Sequence, residues 1–303
     1  MRVGNIIISI LLACVVASCF TGVENTGRIT DKDVSRVKAN RITAEEEILD
    51  TVSLQSFNQW KQGKRFFITN NDISLVLKPS ADSLKGSVLS FIGIETLRRI
   101  DNSEEVVLLF ESHNETYRYE TGKSLIELTE TRPDYIVPFV VDMDYIEKVN
   151  NILRGRTLWI KTRQWEDING SPQTYQKYVA VKIDEVRPGD SVYPLYVAFS
   201  HDDKHSGVFM SSALSPVKNA TFDKLFSLTD IRKHYKHISD ETWDIIINGK
   251  VAVGMTKEEC TLSLGSPRNI SRQPTYAGML ERWSYDNGVF LTFQDGILEN
   301  YRL

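Results

Sequence analysis

The sequence predicts a mostly β chain ending in a small α+β module: one or two small β-barrel-like units, then two helices and a three-stranded antiparallel meander. Three observations predict it. Short runs rich in Val, Ile, Phe and Tyr recur between turn residues from Arg65 to Met210. Two helical patterns with capping signals follow Ile238, and Asn-Gly and Asp-Gly pairs then separate the last three strand-like runs. Hydrophobic residues make up 41% and charged residues 25% of the 303 residues, the balance of a folded globular chain.

The first segment is a targeting signal. Arg2 precedes an almost unbroken apolar run from Ile6 to Ala17, too short to span a membrane comfortably and suited to a signal-peptide core. Val16-Ala17-Ser18-Cys19 follows and resembles the lipobox of bacterial lipoproteins, with Val16 where Leu is commoner. The resemblance implies cleavage after residue 18, acylation of Cys19, and a stable anchor once several acyl chains are attached. Cys14 leaves with the signal, so Cys260 is the one thiol left beyond Cys19 and an internal disulfide is excluded. Residues 19–42 are polar and lack apolar periodicity, as in a tether.

Residues 43–141 read as a helix plus a β unit. Thr43 to Glu46 is a capping-box pattern, and Ile48, Leu49, Val52 and Trp60 recur near helical spacing up to Gly63. Strands are expected at 65–69, 73–77, 88–94, 106–110 and 117–119. Residues 142–238 read as a second helix and β unit. The helix runs from Asp144 to Arg154 and stops at Gly155; strands follow at 157–161, 178–183, 195–199 and 208–210. The two units share landmarks. Gly63 and Gly155 stand 92 residues apart, and Phe110 and Phe199 stand 89 apart, which suggests an internal duplication.

Residues 239–303 form the last module. Ser239 is the expected N-cap of one helix, with Ile238 stapled onto Trp243. Thr256 and Glu259 form a capping box on the next helix, between Met255 and Cys260, and Gly265-Ser266-Pro267 ends it. Strands at 280–285, 289–293 and 297–301 are joined by Asn287-Gly288 and Asp295-Gly296. This order resembles the BamE-like (SmpA/OmlA) lipoprotein family over about residues 239–303. The residues that carry it are Ile247-Asn248-Gly249-Lys250-Val251, Gly254-Met255-Thr256-Lys257-Glu258-Glu259, Leu264-Gly265-Ser266-Pro267 and Trp283-Ser284-Tyr285. The resemblance implies the fold of that module and a setting in envelope assembly. Cys260 departs from it, standing where an aliphatic residue is usual, and so do the two hundred residues upstream.

Candidate chemistry is sparse. Net charge is -4, which gives no drive toward phosphate backbones and argues against nucleic acid. Cys260 at a staple position reads as packing rather than as a nucleophile. His201-Asp202-Asp203-Lys204-His205 reads as a solvated turn rather than as metal ligands. His234 and His237 lie three apart on an expected basic helix face. No phosphate-binding Gly loop, nucleophile elbow or zinc-protease motif occurs, so no cofactor, metal or catalytic residue is assigned. Asp82-Ser83-Leu84 and Asp190-Ser191-Val192 resemble a bacterial envelope O-glycosylation pattern, making Ser83 and Ser191 candidate acceptors; Thr51 fits the pattern too but falls on the first expected helix. Along 289–293, alternation sends Val289, Leu291 and Phe293 inward and leaves Phe290 outward as a candidate interface anchor.

The expected protein is therefore a lipid-anchored envelope lipoprotein, held by Cys19 at the periplasmic face of the outer membrane. Its expected work is non-catalytic binding or scaffolding of another envelope protein or of cell-wall material. The alternative is a cell-wall-binding or hydrolytic protein, which requires an exposed aromatic groove, with Trp159 or Trp165 as platform, or convergent polar groups in a pocket.

Overall fold

Alternation decides the first strand. In β1 (Arg65–Ile68), Phe66 and Ile68 are buried and Arg65 is exposed, the period of two that a half-buried strand requires. With β2 (Leu77–Lys78), β3 (Val88–Arg98), β4 (Glu104–Ser112), β5 (Glu115–Glu120) and β6 (Val140–Asp142) it forms a six-stranded antiparallel sheet ordered β2-β5-β4-β3-β1-β6. The computed structural model describes residues 44–80, 83–131, 134–212, 215 and 217–303. The expected signal peptide, Cys19, the expected tether and Thr43 lie outside the described residues.

Two expectations change here. The helix expected up to Gly63 is a single turn, α1 (Ala44–Glu47), with a 3-10 turn at Phe57–Gln59. The apolar residues between serve two different cores: Val52 joins one, while Phe57 and Trp60 pack in another. A straight helix could not face both. Thr51 accordingly lies in an exposed turn rather than on a helix. The strand expected at 73–77 is a 3-10 turn, Asn71–Leu75, followed by the two-residue β2. Asn70 caps that turn by accepting from the Asp72 N–H at 3.1 Å. Ile73 is fully buried, whereas Leu75 on the same expected face is 81% exposed.

α2 (Met143–Leu153) begins at Asp142, whose carboxylate accepts from the N–H groups of Asp144 and Tyr145. It buries Tyr145, Ile146, Val149 and Leu153 and ends before Gly155, at φ 79°. Then come β7 (Thr157–Ile160), β8 (Gln164–Asp167), β9 (Pro172–Thr174), β10 (Val179–Pro188), β11 (Leu195–His201) and β12 (Lys204–Met210). The helical turn α3 (Phe222–Leu225) leads into β13 (Phe226–Ser227). The second sheet is ordered β13-β7-β10-β11-β12-β8-β9.

Read from β9, the second sheet repeats the order of the first, with β8, β12, β11, β10, β7 and β13 in the places of β2, β5, β4, β3, β1 and β6. The agreement reaches single hydrogen bonds. Gly63 N–H donates to Phe91 O, and Gly155 N–H donates to Ile183 O, both at 2.8 Å. The register slips between Phe91 and Gly93 in one sheet and between Ile183 and Glu185 in the other. The hairpins β4-β5 and β11-β12 turn through pairs of positive-φ residues, His113-Asn114 and Asp202-Asp203, as type I′ turns require.

Each sheet encloses a core. Phe66, Phe91, Leu108 and Phe110 are buried in the first; Leu158, Ile183, Val197 and Phe199 are buried in the second. The residues from Ile48 to Leu54 pack on the second core, although they precede the first sheet in the chain.

The C-terminal segment is built as its caps suggest. Ser239 accepts from Thr242 N–H at the start of α4 (Asp240–Ile247), and the Thr256–Glu259 capping box opens α5 (Lys257–Leu264). Four strands follow rather than three: β14 (Asn269–Thr275), β15 (Gly278–Ser284), β16 (Phe290–Gln294) and β17 (Ile297–Arg302), paired antiparallel in chain order. β14 is exposed at every position, so no apolar alternation betrays it in the sequence. The third core holds Ile238, Trp243, Met255, Cys260, Trp283 and Phe293, and it also takes Tyr178, Ile231 and Tyr235 from upstream of residue 239.

The junction to that core is made by Lys177. Its N–H donates to Ile247 O at the end of α4 (3.0 Å), and its buried ammonium donates to the carbonyls of Leu262 and Ser263 at the end of α5. A cation suits a helix C-terminus. Tyr178, at φ 60°, donates its hydroxyl to Leu262 O at 3.0 Å. Burial, and after it the charge of Arg163, pull the Lys177 ammonium down to about 8. An unfolded lysine titrates near ~10.4, so between these values the unfolded chain holds the extra proton and folding gains stability as pH rises. From about pH 7 to about pH 9 the wild-type chain is expected to gain about 1 kcal/mol relative to Lys177→Met. Parallel urea titrations of the two proteins at both pH values measure this; identical pH profiles would contradict it.

Candidate functional site

An apolar cavity of about 260 Å³ lies between the first sheet unit and residues Asp190, Ser191, Pro194, Ser212 and Ser215 of the second. Trp60 forms its floor. The Trp60 indole N–H donates to Gln55 O at 3.1 Å, and the ring is wedged among Phe57, Phe66 and Phe91 at centroid distances of 5.0 to 5.6 Å. The run Tyr135-Ile136-Val137-Pro138-Phe139-Val140 supplies one wall.

That wall is held in an unusual backbone state. Phe139 has φ 64°, a region costly for a bulky residue. Two bonds keep it there: Thr69 donates to Phe139 O through its N–H at 2.9 Å and its hydroxyl at 2.8 Å. Tyr135 is tied to the core by donating its hydroxyl to Tyr119 at 3.1 Å. Burial and that bond hold the Tyr135 phenol far above its ordinary range. Ile136 between them is 50% exposed and presents its side chain at the cavity.

Two aspartates, Asp142 and Asp190, are among the lining residues. Lys64 is buried and bridges Asp142 at 2.7 Å and Asp144 at 2.8 Å, so two carboxylates share one ammonium. Asp190 also lines the cavity, and its carboxylate accepts from the Val192 and Tyr193 N–H groups. Ser191, a candidate glycan acceptor, is exposed beside it. Ser83 is exposed too, at φ 63°.

The other candidate residues do not converge. His201 and His205 leave the β11-β12 hairpin on opposite faces. His201 meets Trp165 edge-on and bonds Ala180 O, whereas His205 bonds Asp184 at 3.0 Å. His234 ends a 3-10 turn and His237 lies beyond it, paired with Glu258 at 3.1 Å, so the two do not share the expected helix face. Cys260 is fully buried, and burial pushes its thiol up to about 12. Trp165 is no sugar platform: it is 3% exposed, stacked on Tyr175 at 4.5 Å, and its N–H donates to Thr162 O. Phe290 is 50% exposed on the outer face of the last sheet, while Val289, Leu291 and Phe293 are buried.

A second cleft carries charged groups, Glu166 and Arg187 among them. Arg187 lies 4.4 Å over the Tyr196 ring, which crosses Gly207, where a Cβ would strike the ring. Burial raises the nearby Glu166 carboxyl against the bond it accepts from Tyr196. These groups satisfy one another, and Tyr196 is only 6% exposed.

The cavity wall was not assigned from the sequence. A seven-residue apolar run, Tyr135 to Val141, was its signal, but Pro138 inside it disqualifies a central strand. Comparison with family models, with curated proteins and with solved structures finds no match to this chain. Among the described residues, no helix is long and apolar enough to cross a membrane, and no group of His, Cys, Asp and Glu is arranged to hold a metal ion.

Proposed function

We propose that this chain is an envelope lipoprotein, anchored through Cys19 at the periplasmic face of the outer membrane, that works by binding rather than by catalysis. Each curled sheet serves as a small barrel-like unit, and the C-terminal segment serves as a BamE-like docking module with Phe290 outward. The observation that carries the binding role is the open apolar cavity. A cavity lined by the half-exposed Ile136, by Phe139 at positive φ and by the aromatic Trp60 and Phe66 is a surface that gains by being covered. The occupant is an envelope protein or cell-wall material. Trp165, buried and stacked, offers no sugar platform, which leaves the half-buried Trp159 of β7 as the residue the cell-wall alternative would need.

The experiment has two arms. Cys19→Ser is expected to move the protein from the membrane to the soluble fraction and to stop incorporation of labelled fatty acid; equal labelling of both forms would refute the anchor. In the soluble Cys19→Ser form, the neutral dye Nile red is expected to brighten on binding the cavity, and Ile136→Lys should remove that signal at an unchanged melting temperature. Equal fluorescence of the two proteins would refute the site.

A further inference from the structure

The cavity has a counterpart elsewhere in the chain, and the counterpart is filled. Residues 135–142 correspond to 221–228 at an offset of 86, fixed by the pairs Val140–Ile68 in the first sheet and Phe226–Ile160 in the second. The chain's own residues from Ala44 to Val52 cover the second position. The Glu45 carboxylate accepts from Leu228 N–H at 3.1 Å and Ser227 hydroxyl at 3.2 Å, with Lys161 close by. Ile48, Leu49 and Val52 pack into the core beneath. Phe222 there is 5% exposed, whereas its counterpart Ile136 is 50% exposed. One unit thus has polypeptide laid along this wall, and in the other the same wall is open.

We infer that the cavity of the first unit seats a short apolar segment of a partner polypeptide that carries a lysine or arginine beside its apolar residues. This rests on the reading above that the cavity binds. The peptide class comes from the filled counterpart. The charge comes from what differs between the two. Lys161 corresponds to Thr69, and Leu228 to Asp142. The second unit therefore welcomes the Glu45 carboxylate, while the first lines its cavity with two aspartates, Asp190 and the Asp142 that shares the buried Lys64 with Asp144. A carboxylate is disfavoured there and a cation favoured. A volume of about 260 Å³ has room for apolar side chains from a segment running along the wall.

The test is selection of a displayed library of short random peptides on the Cys19→Ser form of the full chain. Enriched peptides are expected to combine aliphatic or aromatic residues with Lys or Arg. Ile136→Lys should weaken them by about tenfold or more, the worth of one buried apolar contact. Asp190→Asn keeps the acceptor oxygen and should weaken them roughly threefold, as a partly exposed ion pair would. No enrichment, enrichment of acidic peptides, or equal binding to Ile136→Lys overturns the inference. Enrichment only after deletion of residues 20–42 also overturns it, because the chain's own tether would then be the occupant. If Nile red responds to Ile136→Lys but no peptide is selected, the cavity binds something else, and this inference falls while the binding role stands. If Nile red also fails, both fall.

Discussion

Phe199→Ala is expected to loosen far more of the chain than Phe110→Ala, although both rings are fully buried at equivalent places in the two sheets. Each substitution removes a core ring, and each should cost roughly 3–5 kcal/mol. The difference lies in what each core supports. Phe110 packs edge-on against Phe66 and Phe91, within the first sheet. Phe199 packs against Trp165 and Phe226, in the core that also holds α2 and the Ile48–Leu54 segment. The second unit further carries Lys177 and Tyr178, which hold the ends of α4 and α5. Hydrogen exchange should therefore rise in Phe199→Ala across the second sheet, α2, the N-terminal segment and the last module. In Phe110→Ala it should rise mainly in the first sheet. Equal loosening everywhere in both variants would show that the three cores unfold as one.

How much of this was legible in the sequence depends on the length scale of each signal. Caps are local, and Ser239, Thr256 and Glu259 act where the sequence places them. The same holds for Asp295-Gly296, at φ 49° and 92°, which closes β16 onto β17. Phe290 faces out because alternation is a property of one strand. What stayed hidden is non-local. Nothing between Ile48 and Leu54 says that these residues cross to the second core, and that crossing is why the expected helix breaks after Glu47. β14 is hidden because it buries no residue, and its polar side chains, such as Arg272 bonded to Glu281, carry no periodic apolar signal. The candidate cavity is hidden for a third reason. Its wall is held by Thr69, some seventy residues from Phe139, and its apolar run around Pro138 fits neither helix nor strand.

Glu281→Gln is expected to destabilise the last module by about 2 kcal/mol and to remove most of its sensitivity to acid. Glu281 lies in β15 with its side chain 3% exposed. Burial alone would push its carboxyl up. Bonds from Lys257 and Arg272, each at 2.8 Å, and from the Trp283 indole at 2.6 Å outweigh burial and bring it down to about 2. The folded value is therefore below that of an unfolded Glu, near ~4.3. The stabilisation is complete above that unfolded value and is lost as pH falls from about 5 toward 2. The full shift would correspond to about 3 kcal/mol at neutral pH, but Arg272 is 63% and Lys257 36% exposed, and water screens both. Hence the smaller figure. Gln keeps an acceptor for the Trp283 N–H and lacks the charge, so the substitution isolates the electrostatic part. Trp283 sits 4.6 Å from Phe293 in the third core, and indole fluorescence in a background with Trp60, Trp159 and Trp165 changed to Phe, which leaves Trp243 and Trp283, follows the melting of this module. The wild-type transition should move steeply to lower temperature from about pH 5 to pH 2.5, and the Glu281→Gln transition should move much less. Parallel shifts of the two proteins over that range would place the acid-sensitive carboxylate elsewhere.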